Sequence, residues 1–151
     1  MAALVLILAG CGGSGAGERG QVVRGDGFRF EAPGGWKVSG AAAGRGAIDR
    51  VEVMTFRLVK PYRRELFPAA ARELDHVAAR LAEQLRGTLA ARSTITVAGG
   101  KTRSYRIEYD GKTTEVTFVL SGPREYQLLC RRRSDGDDAA CRQLVETFRL
   151  T

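Results

Sequence analysis

Histidine is almost missing from this sequence, since His76 stands alone among 151 residues, and cysteine is scarce, with only Cys11, Cys130 and Cys141. One imidazole and three thiols give no ligand set for a zinc site, and no two cysteines stand close enough for a CxxC redox centre. No apolar run reaches the ~20 residues that a helix needs to cross a bilayer, so a multi-span membrane protein is excluded. Ser121 lies in Leu120-Ser121-Gly122-Pro123 rather than in a GxSxG elbow, and nothing marks Ser93 or Ser104 as activated. His76 has Arg72 and Arg80 one helical turn away on either side, and these disfavour both imidazolium and metal. The sequence therefore assigns no catalytic residue, no metal ligand and no cofactor. What is present is ordinary globular material, 44% hydrophobic and 27% charged, with a net charge of +7 in which arginine supplies all but four of the 24 basic side chains. The length suits a single domain with a core of its own.

The first eleven residues, Met-Ala-Ala-Leu-Val-Leu-Ile-Leu-Ala-Gly-Cys, are uncharged and apolar, and Gly12-Gly13-Ser14-Gly15 follows at once. Such a run suits a secretory h-region that ends in small residues. Leu8-Ala9-Gly10-Cys11 resembles the lipobox of bacterial lipoproteins. That resemblance implies lipidation of the Cys11 sulfur, cleavage after Gly10 and acylation of the new amino group, hence a lipid-anchored protein on the extracytoplasmic face of a cell membrane. Signal peptides ordinarily open with Lys or Arg, whereas the first charge here is Glu18, so residues 1–10 read as a truncated leader. Residues 11–26 are rich in glycine and read as a flexible tether. Within them Gly15-Ala16-Gly17-Glu18-Arg19-Gly20 spells GxGxxG without a preceding strand or a following helix, and Arg24-Gly25-Asp26 is an adhesion tripeptide in a glycine-rich stretch; neither carries weight.

Residues 27–151 then form the globular domain. Phe28 and Phe30 alternate with polar residues and lead through Ala32-Pro33-Gly34-Gly35 to Trp36-Lys37-Val38, which reads as two short strands around a turn. Ala41 to Gly46 reads as a small-residue loop, and Arg50 to Val59 as a strand covered on both faces, with Val51 and Val53 on one and Met54, Phe56 and Leu58 on the other. A helix is expected from Phe67 to about Arg86, with Leu74, Val77, Ala78, Leu81 and Leu85 at helical spacing and Gly87 as its cap. Asp110-Gly111 between alternating runs predicts a two-residue hairpin that pairs Tyr105 with Val116, Ile107 with Thr114, and Arg106 with Glu115 as an ion pair. Gly122-Pro123 suggests another turn, Asp137 or Asp138 can cap a last helix, and Cys141, Leu144, Val145 and Phe148 form its apolar stripe.

Gly27-Phe28-Arg29-Phe30-Glu31-Ala32-Pro33-Gly34-Gly35-Trp36 resembles the opening of PsbP-like domains, and Leu144-Val145-Glu146-Thr147-Phe148 is similar to their closing helix. The resemblance in element order covers residues 27–151. It implies an α+β fold, an antiparallel sheet flanked by helices in an α/β/α sandwich. The family holds an extrinsic subunit of photosystem II, a Ran-binding nuclear factor and many bacterial lipoproteins, and no ligand residue transfers individually.

Cys130 and Cys141 are expected to form a disulfide, since export permits it; the alternative is two buried thiols. Arg131-Arg132-Arg133 is a possible basic contact surface, although Asp135, Asp137 and Asp138 follow closely enough to neutralise it and nucleic acid is not the expected partner. The reading is thus a non-catalytic envelope binding or assembly domain with an unidentified protein partner. The alternative is a carrier of a small apolar or lipid ligand held between helix and sheet. An enzyme comes third, and would need Arg106, Glu115 or His76 to line a deep pocket. Intact-mass analysis of protein from membranes should find the mature chain beginning at an acylated Cys11; a free Cys11 thiol on that chain overturns the anchor.

Overall fold

The computed structural model of the chain describes residues 19–151. The leader, the lipobox and most of the GxGxxG match lie outside them. The elements run β1 Gln21–Gly25, β2 Phe28–Ala32, β3 Lys37–Ser39, β4 Ala42–Arg45, β5 Asp49–Tyr62, α1 Phe67–Gln84, β6 Thr88–Val97, β7 Gly100–Tyr109, β8 Lys112–Arg133, α2 Ala139–Thr147 and β9 Arg149–Leu150. The fold is α+β. Six strands form an antiparallel sheet in the order β3-β4-β5-β8-β7-β6, and β1-β2-β9 form a second, smaller one.

The large sheet has a core on each face. On one face α1 lays Leu74 and Ala78 against Tyr105, Val116 and Phe118. On the other face α2 and the small sheet bring Phe28, Phe30, Leu144 and Phe148 against Val51, Val53, Tyr126 and Leu128. Phe148, at 0% exposure, stacks on Phe28 with ring centroids 5.9 Å apart. Burying a side chain of that size stabilises the fold by ~1.5–3 kcal/mol, so these aromatics weld the small sheet to the large one. The space between α1 and the sheet is filled with side chains.

The 22-residue strand β8 serves both cores. Val116 and Phe118 face α1, whereas Tyr126, Leu128 and Cys130, also even-numbered, face α2. Side chains alternate strictly along a regular strand, so one residue's worth of register is lost between Leu120 and Tyr126. Gly122, at φ +53°, lies there and takes up the irregular backbone. The expected turn at Gly122-Pro123 is therefore a kink within a continuous strand. The same irregularity splits the β5–β8 ladder. Arg57 pairs with Arg124 and Tyr62 with Gly122, so four residues of β5 stand opposite Pro123 alone. Pro123 and Pro61 have no amide hydrogen to offer a ladder at this point.

Several expectations need correction. Residues 21–25 of the tether form β1, because Val23 enters the core and the Gln21 side chain donates to the carbonyls of Pro33 (3.2 Å) and Trp36 (2.7 Å). The aromatic strand and the Trp36 strand do not pair with each other. They belong to different sheets, β2 between β1 and β9, and β3 beside β4. The small-residue loop is strand β4, whose Ala42 and Ala43 are buried. Strand β5 is not covered on both faces, since Phe56 is 46% exposed. Helix α1 ends before Arg86, which itself takes the left-handed conformation at φ +54°. Gly87 is needed for another reason: a Cβ there would lie 2.6 Å from the Glu108 carbonyl oxygen. The Asp110-Gly111 hairpin has the expected register, with φ +48° and +68° at the turn, as type I′ requires. Arg106 stands opposite Glu115, yet it pairs along its own strand with Glu108 at 3.6 Å, while Glu115 pairs with Arg132 at 3.3 Å.

A polar clamp fixes α1 to the sheet. Tyr105 Oη donates to Asp75 Oδ1 at 2.6 Å, and Arg103 and Arg92 donate to Oδ2 at 2.9 and 3.4 Å. Burial alone would raise the Asp75 pKa and is the largest single influence, but the bonds from Tyr105 and Arg103 and the two guanidinium charges outweigh it, so the pKa is lowered. Burial and the Asp75 carboxylate together push the Tyr105 phenol well above its ordinary value. A carboxylate with a lowered folded pKa contributes stability above its unfolded pKa of about 4, lost as pH falls through the folded value. Asp75→Asn should therefore cost about 2 kcal/mol at neutral pH. The gap in melting temperature between wild type and variant should close on acidification below about pH 4.

Candidate functional site

An opening of about 840 Å³ lies at one end of the large sheet. Four pieces of chain meet there: the end of β5 with the segment leading into α1, the β6–β7 turn, the kinked part of β8 and Leu150 of β9. Each is local chemistry brought together by topology. A short 3-10 turn over Arg64–Leu66 follows β5, and Pro68 at the start of α1 suits a first helical turn, where its missing amide hydrogen would have no partner. The β6–β7 turn consists of Ala98 (φ +48°) and Gly99 (φ +78°), a type I′ geometry like that of the Asp110-Gly111 hairpin.

The walls carry three cations, Arg63, Arg64 and Lys101, against one carboxylate, Glu65. Between them lie the aromatic rings of Tyr62 and Phe67 and apolar Val119 and Leu120. Burial raises the Tyr62 pKa, with Arg64 opposing and Glu65 reinforcing that shift, so the phenol is neutral at physiological pH and can donate a hydrogen bond. Thr102, 2% exposed, also lines the opening, and its hydroxyl finds no partner among the described residues. The arrangement offers positive charge, aromatic faces and hydroxyl groups.

The residues singled out from the sequence lie elsewhere. Cys130 in β8 and Cys141 in α2 are at disulfide distance, 2.09 Å between sulfurs, and so join the last helix to the central strand. Arg131, Arg132 and Arg133 follow on β8, and each guanidinium is engaged within the chain. Arg131 donates to the Ile48 carbonyl at 2.9 Å, Arg132 to Glu115 at 3.3 Å, and Arg133 to Asp135 at 3.0 Å. They border a groove of about 160 Å³ beside the disulfide, where Arg45 sits 5.6 Å over the Trp36 ring. Asp137 accepts from the Ala139 amide at the start of α2, and Asp138 pairs with Arg142. Neither neutralises the arginine run. His76 is exposed on α1, and Arg106 and Glu115 are on the sheet face away from α1. None of these three lines the large opening. Among the described residues no group of three or more His, Cys, Asp or Glu side chains is placed to hold a metal, and no helix is long and apolar enough to cross a membrane. Sequence reasoning passed over Arg63, Arg64 and Lys101. The signal available was Pro61-Tyr62-Arg63-Arg64, an aromatic and a basic pair placed just before a helix.

These features define an antiparallel α+β domain with a basic, aromatic cleft at one end of its large sheet. No family model and no curated protein matches the chain by sequence. Among solved structures, the crystal structure of a protein from Bacteroides thetaiotaomicron is similar, with a TM-score of 0.58 at 10% identity over 89% of this chain. The match covers 49% of that protein, so the chain spans about half its length. The likeness is one of fold.

The Cys130–Cys141 pair closes a short loop, for which chain entropy gives about 2 to 3 kcal/mol of stability. Replacing both cysteines by serine should lower the unfolding free energy by that amount in urea titration. Alkylation of the denatured wild type should need prior reduction before it labels these two residues.

Proposed function

We propose that the chain is a lipid-anchored, extracytoplasmic binding domain of PsbP-like architecture, which acts by holding a protein partner in an envelope assembly. The basic cleft carries this reading. Three cations around aromatic and apolar walls suit an acidic segment of a partner that also presents a bulky side chain, the kind of site where arginine and aromatic residues contribute most binding energy. The placement of α1 on one face of the sheet and α2 on the other supports the α/β/α sandwich. Cysteines at bonding distance support an oxidising compartment and hence export. A second reading, a carrier of a small apolar or lipid ligand, draws on the size of the cleft, since about 840 Å³ is within the range of small-molecule sites. On that reading the ligand sits at the sheet end, because the space between α1 and the sheet is filled.

A photoreactive amino acid at Lys101, on the cleft, and another at His76, on the exposed face of α1, separate these readings in intact cells. The binding-domain reading expects one defined protein adduct from position 101 and none from 76. Arg63→Glu with Arg64→Glu should reduce that adduct at least tenfold, roughly the effect of losing one strong contact at an interface. Equal labelling from both positions would count against the cleft. Lipid co-purifying with the wild type, but not with this double variant, in native mass spectrometry would favour the carrier.

A further inference from the structure

The four residues of β5 that stand opposite Pro123 are Leu58, Val59, Lys60 and Pro61. They form the crest of an exposed arm beside the cleft. Val59 is fully exposed at 100%, and Phe56, three residues earlier, is nearly half so. Arg57, Lys60, Arg63 and Arg64 are exposed in the same stretch, against the single acid Glu65. Val59, Arg57 and Lys60 do not line the cleft, so the feature is separate from the site described above. An apolar side chain as fully exposed as Val59 has no pocket of its own around it, whereas strong protein contacts are made by side chains desolvated in pockets. A lone apolar tip ringed by cations matches instead the interfacial zone of a membrane, where acyl chains lie just below anionic headgroups.

We propose that the arm over residues 56–61 is a membrane-facing surface that seats Val59 in an anionic lipid bilayer, with Arg57 and Lys60 on the headgroups. The inference rests on the membrane-proximal location proposed above, and the lengths agree with it. The chain enters the fold at Gln21, and the five residues of β1 run about 17 Å. The turn that follows places Asp26 3.1 Å from Arg124, the cross-strand partner of Arg57. The ten residues from Cys11 to Gly20 can span up to about 35 Å, so an anchor at Cys11 leaves the arm free to meet the same surface.

The test uses the full chain with Cys11→Ser, so that lipidation contributes nothing and the anchor is judged separately by mass. It is sedimented with phosphatidylcholine vesicles and with vesicles of two parts phosphatidylcholine to one part phosphatidylglycerol. Binding is expected to the mixed vesicles only, and to fall as salt is raised. Each basic residue near such a surface is worth about fivefold in partitioning, so Arg57→Gln with Lys60→Gln should weaken binding about 25-fold. Neither position is buried, and circular dichroism should show both variants folded. The V59W variant should give blue-shifted emission on mixed vesicles and none of that shift on phosphatidylcholine alone. Equal binding to the two vesicles, undiminished binding by the double variant, or unshifted emission from V59W overturns the proposal. So does retention on an acidic protein surface without any binding to vesicles, which would make the arm a protein contact.

Discussion

Strand β8 is the constraint on which the rest depends. It lies between β5 and β7 in the large sheet, begins at the Asp110-Gly111 hairpin and carries near its end the cysteine joined to α2. Because the type I′ turn sets the register at its start, Val116 and Phe118 are committed to the α1 face. Without the irregularity around Gly122, the same parity would carry Tyr126, Leu128 and Cys130 to that face too. The aromatic cluster of the small sheet would then have nothing to pack against. One change of phase in one strand thus decides that the domain has two cores. It also opens the β5–β8 ladder, and both the cleft and the neighbouring arm occupy the space so made.

The parts of this architecture that were legible in the sequence are those governed by local rules. The Asp110-Gly111 register follows from the positive φ angles that a two-residue turn demands, and the α1 and α2 stripes follow from helical periodicity. The Cys130–Cys141 pairing followed from the setting expected for the chain. What escaped was non-local. Val23 looked like a stray valine in a glycine-rich tether because its burial comes from the aromatic cluster, far away in the chain. Ala42 and Ala43 looked like loop because small residues carry little hydrophobic signal, yet their size lets β4 lie close under the core. Gly122-Pro123 has the composition of a turn, and the strand continues through it, kinked, because β5 pairs with it on both sides of that point. The cleft residues were illegible for the same reason. Arg63 and Lys101 are distant in sequence and meet because the β6–β7 turn and the end of β5 lie at one edge of the sheet assembly.

The charge of the domain also divides by role. Arg131, Arg132 and Arg133 are the longest basic run, and they are spent on carbonyls and carboxylates of the chain itself. Arg92 and Arg103 hold Asp75. Arg57, Lys60, Arg63, Arg64 and Lys101, by contrast, face outward beside the cleft. The longest basic run along the sequence is therefore not where the basic side chains of the cleft lie.

The irregularity between Leu89 and Ala91 in β6 has a bearing on how copies of the domain behave toward one another. β6 is the outermost strand on its side of the large sheet, ten residues long and mostly exposed, a template that a second chain could extend. An extra residue in an edge strand twists it and breaks the even spacing of its free amides and carbonyls. Arg92 places a charge two residues further on. Together they deny a flat, continuous rail to another strand, which makes this open edge a poor template for sheet-to-sheet growth between copies of the domain.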